Sequence, residues 1–178
     1  IDKIFVLTMS LAIAAIDAIK EMIGLRTMIK WPNDLYINRK KLGGILTEFS
    51  VKDSFVEYVI IGLGMNINWM PDEENEILYP ATSILAETGV RVSRNELLID
   101  MLKRFERYYE QAISGETDAL HKRWNELSLV IGNDVEIISS YEVIKGRAVS
   151  IDREGALILK NTIGDEIKIL SGDVSLRF

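Results

Sequence analysis

The sequence predicts an α+β protein, with helices and a mixed sheet in its first part and a small β-barrel in its last part. Three observations predict this organisation. A nearly all-apolar stretch with helical continuation opens the chain, strand patterns lie on both sides of Pro32, and short alternating runs follow Val130. Apolar residues make up 48% of the 178 residues, which is ample for a packed core.

The first predicted element is a helix that begins near residue 5. Its apolar run covers residues 5–19, and the helical pattern continues to a stop at Gly24. A helix that is apolar on most sides lies in a protein core or in a membrane. The uninterrupted run is shorter than the roughly 20 residues that a bilayer span needs, and Asp17 and Lys20 close it. A secretory signal is the alternative, because Lys3 precedes the apolar run. The helical pattern continues past the run, so we expect a buried core helix.

The segment KWPNDLYINRKKLGGILTE, residues 30–48, combines apolar residues, an Asn-Asp pair, three consecutive cations and two glycines. Pro32 lacks a backbone donor and indicates a turn. After it we predict a strand over residues 35–37, a hairpin tip at 38–40 and a returning strand over 41–49.

This hairpin places Asp34 and Lys41 near opposite ends of neighbouring strands, where an acid and a base can face a charged substrate. Gly43 and Gly44 weaken the returning strand, so we expect a ligand or another backbone to approach closely there. The alternative is that the cations form a solvated hairpin tip and that Trp31 belongs to the core.

A second hairpin is predicted, with its loop at residues 52–54 and a buried strand over residues 57–62. Beyond it small and polar residues alternate with Leu63, Met65 and Ile67, at Gly62, Gly64, Asn66 and Asn68. On a strand this period places the small and polar residues on one face. Such a face suits a flat ligand or a helix packed across the strand, and the residues alone do not separate these two interpretations.

The middle of the chain predicts an acidic surface loop over residues 69–79, a short helix over 82–88 and a helix over 118–127 with His121 and Trp124. Between the helices, Ser93 and Glu96 form a capping box that opens a long amphipathic helix. Its expected inner stripe is Leu97, Leu98, Met101, Leu102, Phe105, Tyr108, Tyr109 and Ile113.

From Val130 onward, about five short strands are expected in fewer than fifty residues, which is typical of a small barrel. Turn residues separate them at 132–134, 139–140, 152–155, 161–164 and 171–172. We therefore predict two domains, residues 1–128 and 129–178.

Composition excludes several classes of function. Without cysteine the chain has neither disulfides nor thiolate metal sites, which favours a reducing compartment, and the single His121 cannot form a histidine-based metal site or a serine triad alone. The net charge of −6 argues against broad nucleic-acid binding.

The motifs resemble those of the biotin–protein ligase family over essentially the whole chain. The KWPND sequence with a lysine seven positions after Asp34, the following LGGILTE, the sequence IGLGMNIN at residues 61–68, the Trp124 helix and the final GDVSLR carry the resemblance. It implies a catalytic fold like that of class II aminoacyl-tRNA synthetases, followed by an SH3-like barrel. The family's Gly/Arg-rich biotin loop lies upstream of Ile1, so we expect this chain alone to be a poor ligase.

The resemblance also implies a chemistry. The family joins the biotin carboxylate to the α-phosphate of ATP and transfers the biotinyl group to a lysine of a carrier domain. The implied roles are catalysis for Lys41; biotin binding for Lys41, Gly44, Gly62 and Gly64; ATP binding for Lys30, Asn33, Asn66 and Arg177; and Mg²⁺ binding for Asp34.

The implied partner is the biotin carboxyl carrier domain of a carboxylase in the cytoplasm, with a homodimer as an option and no partner among nucleic acids or membranes. Three alternatives remain. A lipoate–protein ligase shares the catalytic fold, a non-catalytic protein could bind biotin or nucleotide in the same pocket, and some family members are also repressors.

Overall fold

The computed structural model describes residues 2–71, 80–138 and 143–176. The described part contains four helices and nine strands. The helices are α1 (Asp2–Ile23), α2 (Ile84–Thr88), α3 (Arg94–Ser114) and α4 (Asp118–Leu127). The strands are β1 (Met28–Lys30), β2 (Asp34–Ile37), β3 (Lys40–Lys52), β4 (Phe55–Met65), β5 (Asp134–Ile138), β6 (Val143–Ile151), β7 (Leu157–Lys160), β8 (Glu166–Ile169) and β9 (Asp173–Leu176).

Helix α1 is the central core element, as the sequence predicted. Met9, Ile13 and Ile19 are fully buried, and the helix ends at Gly24, which has a positive φ and donates its N–H to the Lys20 carbonyl. Among the helices in the described ranges, none has the length and apolarity that a membrane crossing requires.

Strands β1 to β4 form one antiparallel sheet in the order β1-β2-β3-β4. Both predicted hairpins are confirmed. Asn38 and Arg39 join β2 to β3, and Asp53 and Ser54 join β3 to β4, each pair with two consecutive positive φ angles. Two such residues form the tight turn that matches the natural twist of a hairpin.

The prediction that residues 57–62 form a buried strand was wrong about burial. Strand β4 is there, but Tyr58 and Ile60 are 54% and 56% exposed, whereas Val59 and Ile61 are half-buried. The run is apolar on both faces, and in the described part of the chain only the face toward α1 is covered. Thr8 of α1 bonds to Thr47 of β3 on that covered face.

Helix α4 has the predicted bounds and α3 begins after Ser93 as predicted, whereas α2 begins at Ile84, two residues later than predicted. The stripe predicted for α3 is only partly internal. Ser93 caps α3 by accepting the Glu96 N–H at 3.3 Å, and Gly115 follows the last helical residue. Leu97 and Met101 are buried. Four other members of the predicted stripe are exposed, because α3 packs on α1 along one side only: Leu98, Leu102, Tyr109 and Ile113.

Helix α4 inserts Trp124 into the core, where its ring meets the edge of Phe5 with centroids 5.3 Å apart. His121 is partly buried, and burial lowers the pKa of its imidazole, in agreement with a packing role.

The last part of the chain is a five-stranded antiparallel sheet in the order β8-β7-β6-β5-β9. The number of strands agrees with the spacing of the predicted turns. The predicted turns at residues 152–155 and 161–164 are present, whereas residues 139–140 and most of the acidic loop lie outside the described residues. The division at residue 128 stays a prediction.

The two sheets meet at the Trp31–Pro32 segment between β1 and β2. The Trp31 indole is buried, and its Nε1 donates to the Gly155 carbonyl at 2.8 Å. The Leu129 N–H donates to the Ile29 carbonyl at 2.7 Å. Trp31 is therefore a core residue, and it fixes the second sheet against the first.

We expect Trp31→Phe to lower the free energy of unfolding by about 1–3 kcal/mol, because it leaves the Gly155 carbonyl without its donor. Urea titration followed by circular dichroism measures this loss. Trp69→Phe is the matched control at a partly exposed indole, with an expected change within about 0.5 kcal/mol. Equal losses of unfolding free energy in the two variants would show that the bond to Gly155 does not stabilise the fold.

The Asp152 carboxyl, in the turn that contains Gly155, should make the stability of the fold depend on pH. Burial opposes its ionisation, but the Lys168 ammonium and the N–H groups of Ala156 and Glu154 outweigh burial and lower the pKa of this carboxyl. A lowered pKa stabilises the fold above the ordinary value of 3.8, and this contribution is lost as the pH falls through the folded pKa.

Urea titrations from neutral pH to about pH 3 measure this effect. As the pH falls toward 3, the free energy of unfolding of the wild type should decrease more than that of Asp152→Asn. The difference between the two proteins should be largest at neutral pH. A constant difference over the whole range would contradict the prediction.

Candidate functional site

A cleft of about 470 Å³ opens beside the junction of the two sheets. Strands β1 to β3 and the start of β9 contribute its walls. The lining residues are Lys30, Trp31, Pro32, Asn33, Asp34, Tyr36, Lys41, Gly172 and Asp173. The segment that the sequence analysis singled out thus forms most of one cleft.

An ion pair between Lys41 and Asp34 lies at the centre of the cleft, with 2.7 Å between Nζ and Oδ2. The sequence predicted that the two side chains lie near opposite ends of neighbouring strands and face a charged substrate. In the structure, Asp34 pairs with Gly44, and the register shifts between Leu35 and Tyr36. The Lys41 side chain runs along β3 toward Gly44 and reaches Asp34.

Gly44 is the residue that permits this contact. A Cβ on Gly44 would lie 2.7 Å from Oδ1 of Asp34 and 3.6 Å from Cε and Nζ of Lys41. A real Cβ does not approach a carboxylate oxygen this closely, so any larger residue would displace the carboxylate. The need for glycine at this position therefore comes first from the ion pair, and the predicted role of Gly44 in biotin binding stays a prediction.

Gly62 and Gly64 have open space where a side chain would be. A Cβ on Gly64 would meet nothing within 4 Å, and one on Gly62 would only touch the Leu46 carbonyl at 3.9 Å. Gly64 pairs with Gly44 across the strands. The three glycines therefore form a bare floor on the face that carries Asp34, and no described helix packs across this floor.

The backbone of Lys41 is held from a second direction. Its N–H donates to the Pro80 carbonyl and its carbonyl accepts the Thr82 N–H, both at 2.8 Å. Glu87 of α2 supports this segment by accepting hydrogen bonds from Thr82 Oγ1 and Asn38 Nδ2. Glu87 was not predicted from the sequence, because Asn38 is 49 residues away and no motif connects Glu87 with Asn38 or Thr82.

Lys30 contributes a second cation to the cleft. Its Nζ lies 3.1 Å from Oδ1 of Asp173 in β9 and 5.6 Å from the centroid of the Tyr36 ring. Asp173 was predicted only as part of the final GDVSLR motif, and Arg177 of the same motif lies outside the described residues. The cleft thus receives a carboxylate from each sheet.

The two asparagines with predicted ATP contacts have structural bonds. Nδ2 of Asn33 donates to the Ile45 carbonyl at 2.5 Å, which ties the turn to β3. Nδ2 of Asn66 donates to the Thr82 carbonyl at 3.1 Å, just beyond the end of β4. Both amide groups hold backbone segments near Lys41 in place. Their contacts with a nucleotide stay predictions.

The donor set does not form a metal site on its own. Across residues 2–71, 80–138 and 143–176, no group of three or more histidine, cysteine, aspartate or glutamate side chains is arranged to hold a metal ion. Mg²⁺ commonly uses one or two carboxylates together with substrate phosphates. Asp34 and Asp173 both line the cleft, and the Mg²⁺ binding predicted for Asp34 stays a prediction.

Two family models match the chain. The biotin/lipoate A/B protein ligase family matches residues 1–66, and the biotin protein ligase C terminal domain matches residues 130–177. Together they cover more than half of the chain, and the first includes the whole Lys30–Lys41 segment.

Relatives and solved structures agree with these models. The bifunctional ligase/repressor BirA of Bacillus subtilis is 35% identical over 171 residues, which are 96% of this chain and 52% of the relative. The apo biotin protein ligase of Aquifex aeolicus superposes with a TM-score of 0.84 at 28% identity, over 99% of this chain and 76% of that one. The structure of that enzyme with biotin and ATP gives 0.79 at 26% identity, over 97% and 71%.

These likenesses confirm the α+β fold with an SH3-like last part. The chain spans about half the length of the curated relatives that it matches.

A double substitution tests whether Gly44 makes room for the Asp34 carboxylate. Gly44→Ala should lower the free energy of unfolding by about 1–3 kcal/mol through overpacking against Asp34. In an Asp34→Ala background the same change should cost much less, because the clashing oxygen is gone. Gly64→Ala is the control, and it should be neutral in denaturant titrations. Additive effects of Gly44→Ala and Asp34→Ala would contradict this account.

Proposed function

Since the chain belongs to the biotin protein ligase family, we propose that it forms the activating cleft of an ATP-dependent biotin–protein ligase. The reaction has two steps. Biotin and ATP give biotinyl-5′-AMP and pyrophosphate, and the biotinyl group then passes to a lysine of a biotin carboxyl carrier domain. Since the sequence lacks cysteine, we place this reaction in the reducing cytoplasm.

The observation that carries the proposal is the position of Lys41. Its ammonium lies in a cleft, is oriented by Asp34, and stands next to a floor of glycines that leaves room for a flat ligand. Its side chain is 42% exposed, so a substrate can reach it. The first step brings together two anions, a carboxylate and a phosphate, and a fixed positive charge between them lowers their repulsion.

In this scheme Lys41 donates hydrogen bonds to the biotin carboxylate and to a non-bridging oxygen of the α-phosphate. The carboxylate oxygen attacks the α-phosphorus, the new P–O bond forms, and pyrophosphate leaves with the electrons of the broken bond. In the second step a neutral lysine amine attacks the acyl carbon. The amine loses its proton, the amide forms and AMP leaves.

Other charged and polar residues of the cleft would bind the nucleotide or support its site. Lys30 lies in the part of the cleft near Asp173, and its ammonium would bind the phosphates. Mg²⁺ would neutralise phosphate charge when bound, and Asp34 is the carboxylate that would hold it. Asn33 keeps the turn in place through its bond to Ile45.

A lipoate–protein ligase is the competing enzyme, because the model that matches residues 1–66 includes both substrate classes. The match of residues 130–177 to the terminal domain of biotin protein ligases favours biotin. A non-catalytic binding protein would share the cleft but would not depend on Lys41 for adenylate formation.

Calorimetry with biotin, lipoate and ATP tests the substrate, and release of pyrophosphate tests the chemistry. In the intact parent protein, Lys41→Gln should lower adenylate formation by about 100-fold or more, because the charge at the phosphate is lost. Lys40→Gln is the matched control, since it removes the neighbouring cation, which lies 3.9 Å from Glu87 rather than in the cleft. The control should retain wild-type activity.

Three outcomes would overturn the proposal. Binding of lipoate without biotin would change the substrate, equal rates for both lysine variants would remove Lys41 from the chemistry, and biotin binding without pyrophosphate release in the intact parent protein would indicate a binding protein.

A further inference from the structure

Glu87 of α2 is a carboxylate that lies outside the cleft and has no part in the chemistry proposed above. Its side chain is only 10% exposed, and both of its oxygens accept hydrogen bonds. Oε1 accepts from Thr82 Oγ1 at 2.5 Å, and Oε2 accepts from Asn38 Nδ2 at 2.6 Å. Hydrogen bonds to a carboxylate are short and strong, so Glu87 holds these two partners at a fixed separation. The partners belong to the two segments that adjoin Lys41.

The first partner, Asn38, lies in the turn that leads into the strand of Lys41. Asn38 and Arg39 join β2 to β3 with φ angles of 47° and 64°. Residues other than glycine populate this left-handed region sparsely, although asparagine enters it more readily than most. The bond from Asn38 to Glu87 holds the turn from outside the hairpin. Since Lys41 follows only three residues later, the bond also fixes the start of the strand that carries it.

The second partner, Thr82, lies in the segment beside Lys41. Strand β4 begins to pair with β3 only at Gly43, and the Lys41 backbone bonds instead to Pro80 and Thr82. Thr82 is 1% exposed, so its hydroxyl needs a partner within the protein, and Glu87 provides the acceptor. Glu87 therefore holds this segment against the backbone of Lys41.

We propose that Glu87 is a positioning residue for Lys41, and that it fixes the lysine backbone from both sides through Asn38 and Thr82. The proposal rests on the proposed function, in which the Lys41 ammonium stands between two anions. A lysine side chain is long and flexible, so its reach depends on where its backbone lies. Asp34 holds the ammonium end of this side chain, and Glu87 holds the backbone end. A displacement of about 1 Å at a reacting group can slow a reaction about 100-fold.

The hydrogen bonds of Glu87, rather than its charge, carry this role. A negative charge in the first turn of α2 also favours the helix dipole, and Lys40 Nζ lies 3.9 Å from Oε1. The Lys40 side chain is 52% exposed, and ion pairs of such residues contribute little. In Glu87→Gln the remaining oxygen can accept from Asn38, and the amide can donate to the Thr82 hydroxyl. Glu87→Gln should therefore preserve the position of Lys41, whereas Glu87→Ala should not.

Hydrogen exchange of backbone amides, measured by NMR on the 178-residue chain, tests the positioning independently of activity. Glu87→Ala should speed exchange of the Lys41 and Thr82 N–H groups by about tenfold or more, because local opening exposes both bonds. Glu87→Gln should leave both exchange rates close to those of the wild type. The Leu129 N–H, which donates to the Ile29 carbonyl elsewhere in the molecule, is the internal control and should exchange at the same rate in all three proteins.

Rates of pyrophosphate release in the intact parent protein test the effect on the reaction. Glu87→Ala should lower kcat by about 10- to 100-fold and change KM for biotin much less, because the displaced ammonium acts mainly in the transition state. Glu87→Gln should restore most of the rate. Thr88→Val is the matched control, since it removes a hydroxyl bond to the Ile84 carbonyl within the same helix, and it should keep the wild-type rate.

A double substitution tests whether Glu87 acts through Lys41. Once Lys41→Gln has removed the ammonium, adding Glu87→Ala should slow the reaction by less than about threefold further. A residue that acts elsewhere would instead lower the rate by the same factor in both backgrounds.

Three results would overturn the proposal. Faster exchange at Leu129 to the same extent as at Lys41 would mean that Glu87 only stabilises the fold. A Glu87→Gln variant as slow as Glu87→Ala would assign the effect to charge, and fully multiplicative effects of Glu87→Ala and Lys41→Gln would separate Glu87 from the lysine. A wild-type rate in Lys41→Gln would instead overturn the proposed function, and the exchange rates would still decide whether Glu87 holds the Lys41 backbone.

Discussion

The buried bond from the Trp31 indole to the Gly155 carbonyl determines where the cleft can form. It joins the turn between β1 and β2 to the turn that precedes β7, and it does so in the core, where an unpaired carbonyl costs about 1–3 kcal/mol. Because Lys30 and Asp34 stand near Trp31 in the chain, the same contact fixes both cleft residues. It also brings Asp173 of the second sheet to Lys30 of the first.

Much of the fold follows from local sequence. Helix α1 and its end at Gly24 could be predicted from an apolar pattern and one glycine, and the turns at Asn38 and Asp53 from polar residues between strand patterns. Burial was harder to predict. Residues 58–61 are apolar on both faces, and alternation alone does not say which face the rest of the protein covers. The same limit applies to α3, where the hydrophobic stripe is wider than its contact with α1.

The sequence predicted which residues belong to the candidate site, but it predicted their arrangement only in part. Motif spacing brought Asp34, Lys41 and Gly44 into one site, but it could not show that the register shift near Leu35 lets the lysine and the carboxylate touch. The sequence predicted that Gly44 makes room for a ligand, and in the structure it makes room for Asp34. Glu87 and Asp173 could not be predicted from local sequence, because the contacts with Asn38 and Lys30 that connect them to the cleft segment each span more than 40 residues.

The cleft holds its charges as two pairs, Lys30 with Asp173 and Lys41 with Asp34. Each carboxylate keeps a lysine in position while the cleft is open to solvent. Under the proposed function, an anionic substrate that takes over a lysine leaves a carboxylate beside a phosphate, and like charges at this distance repel. In that proposal, Asp34 would help to hold a divalent cation that removes this repulsion, so anion and cation binding would favour each other. Since the two carboxylates come from different sheets, such a coupling would depend on the junction at Trp31.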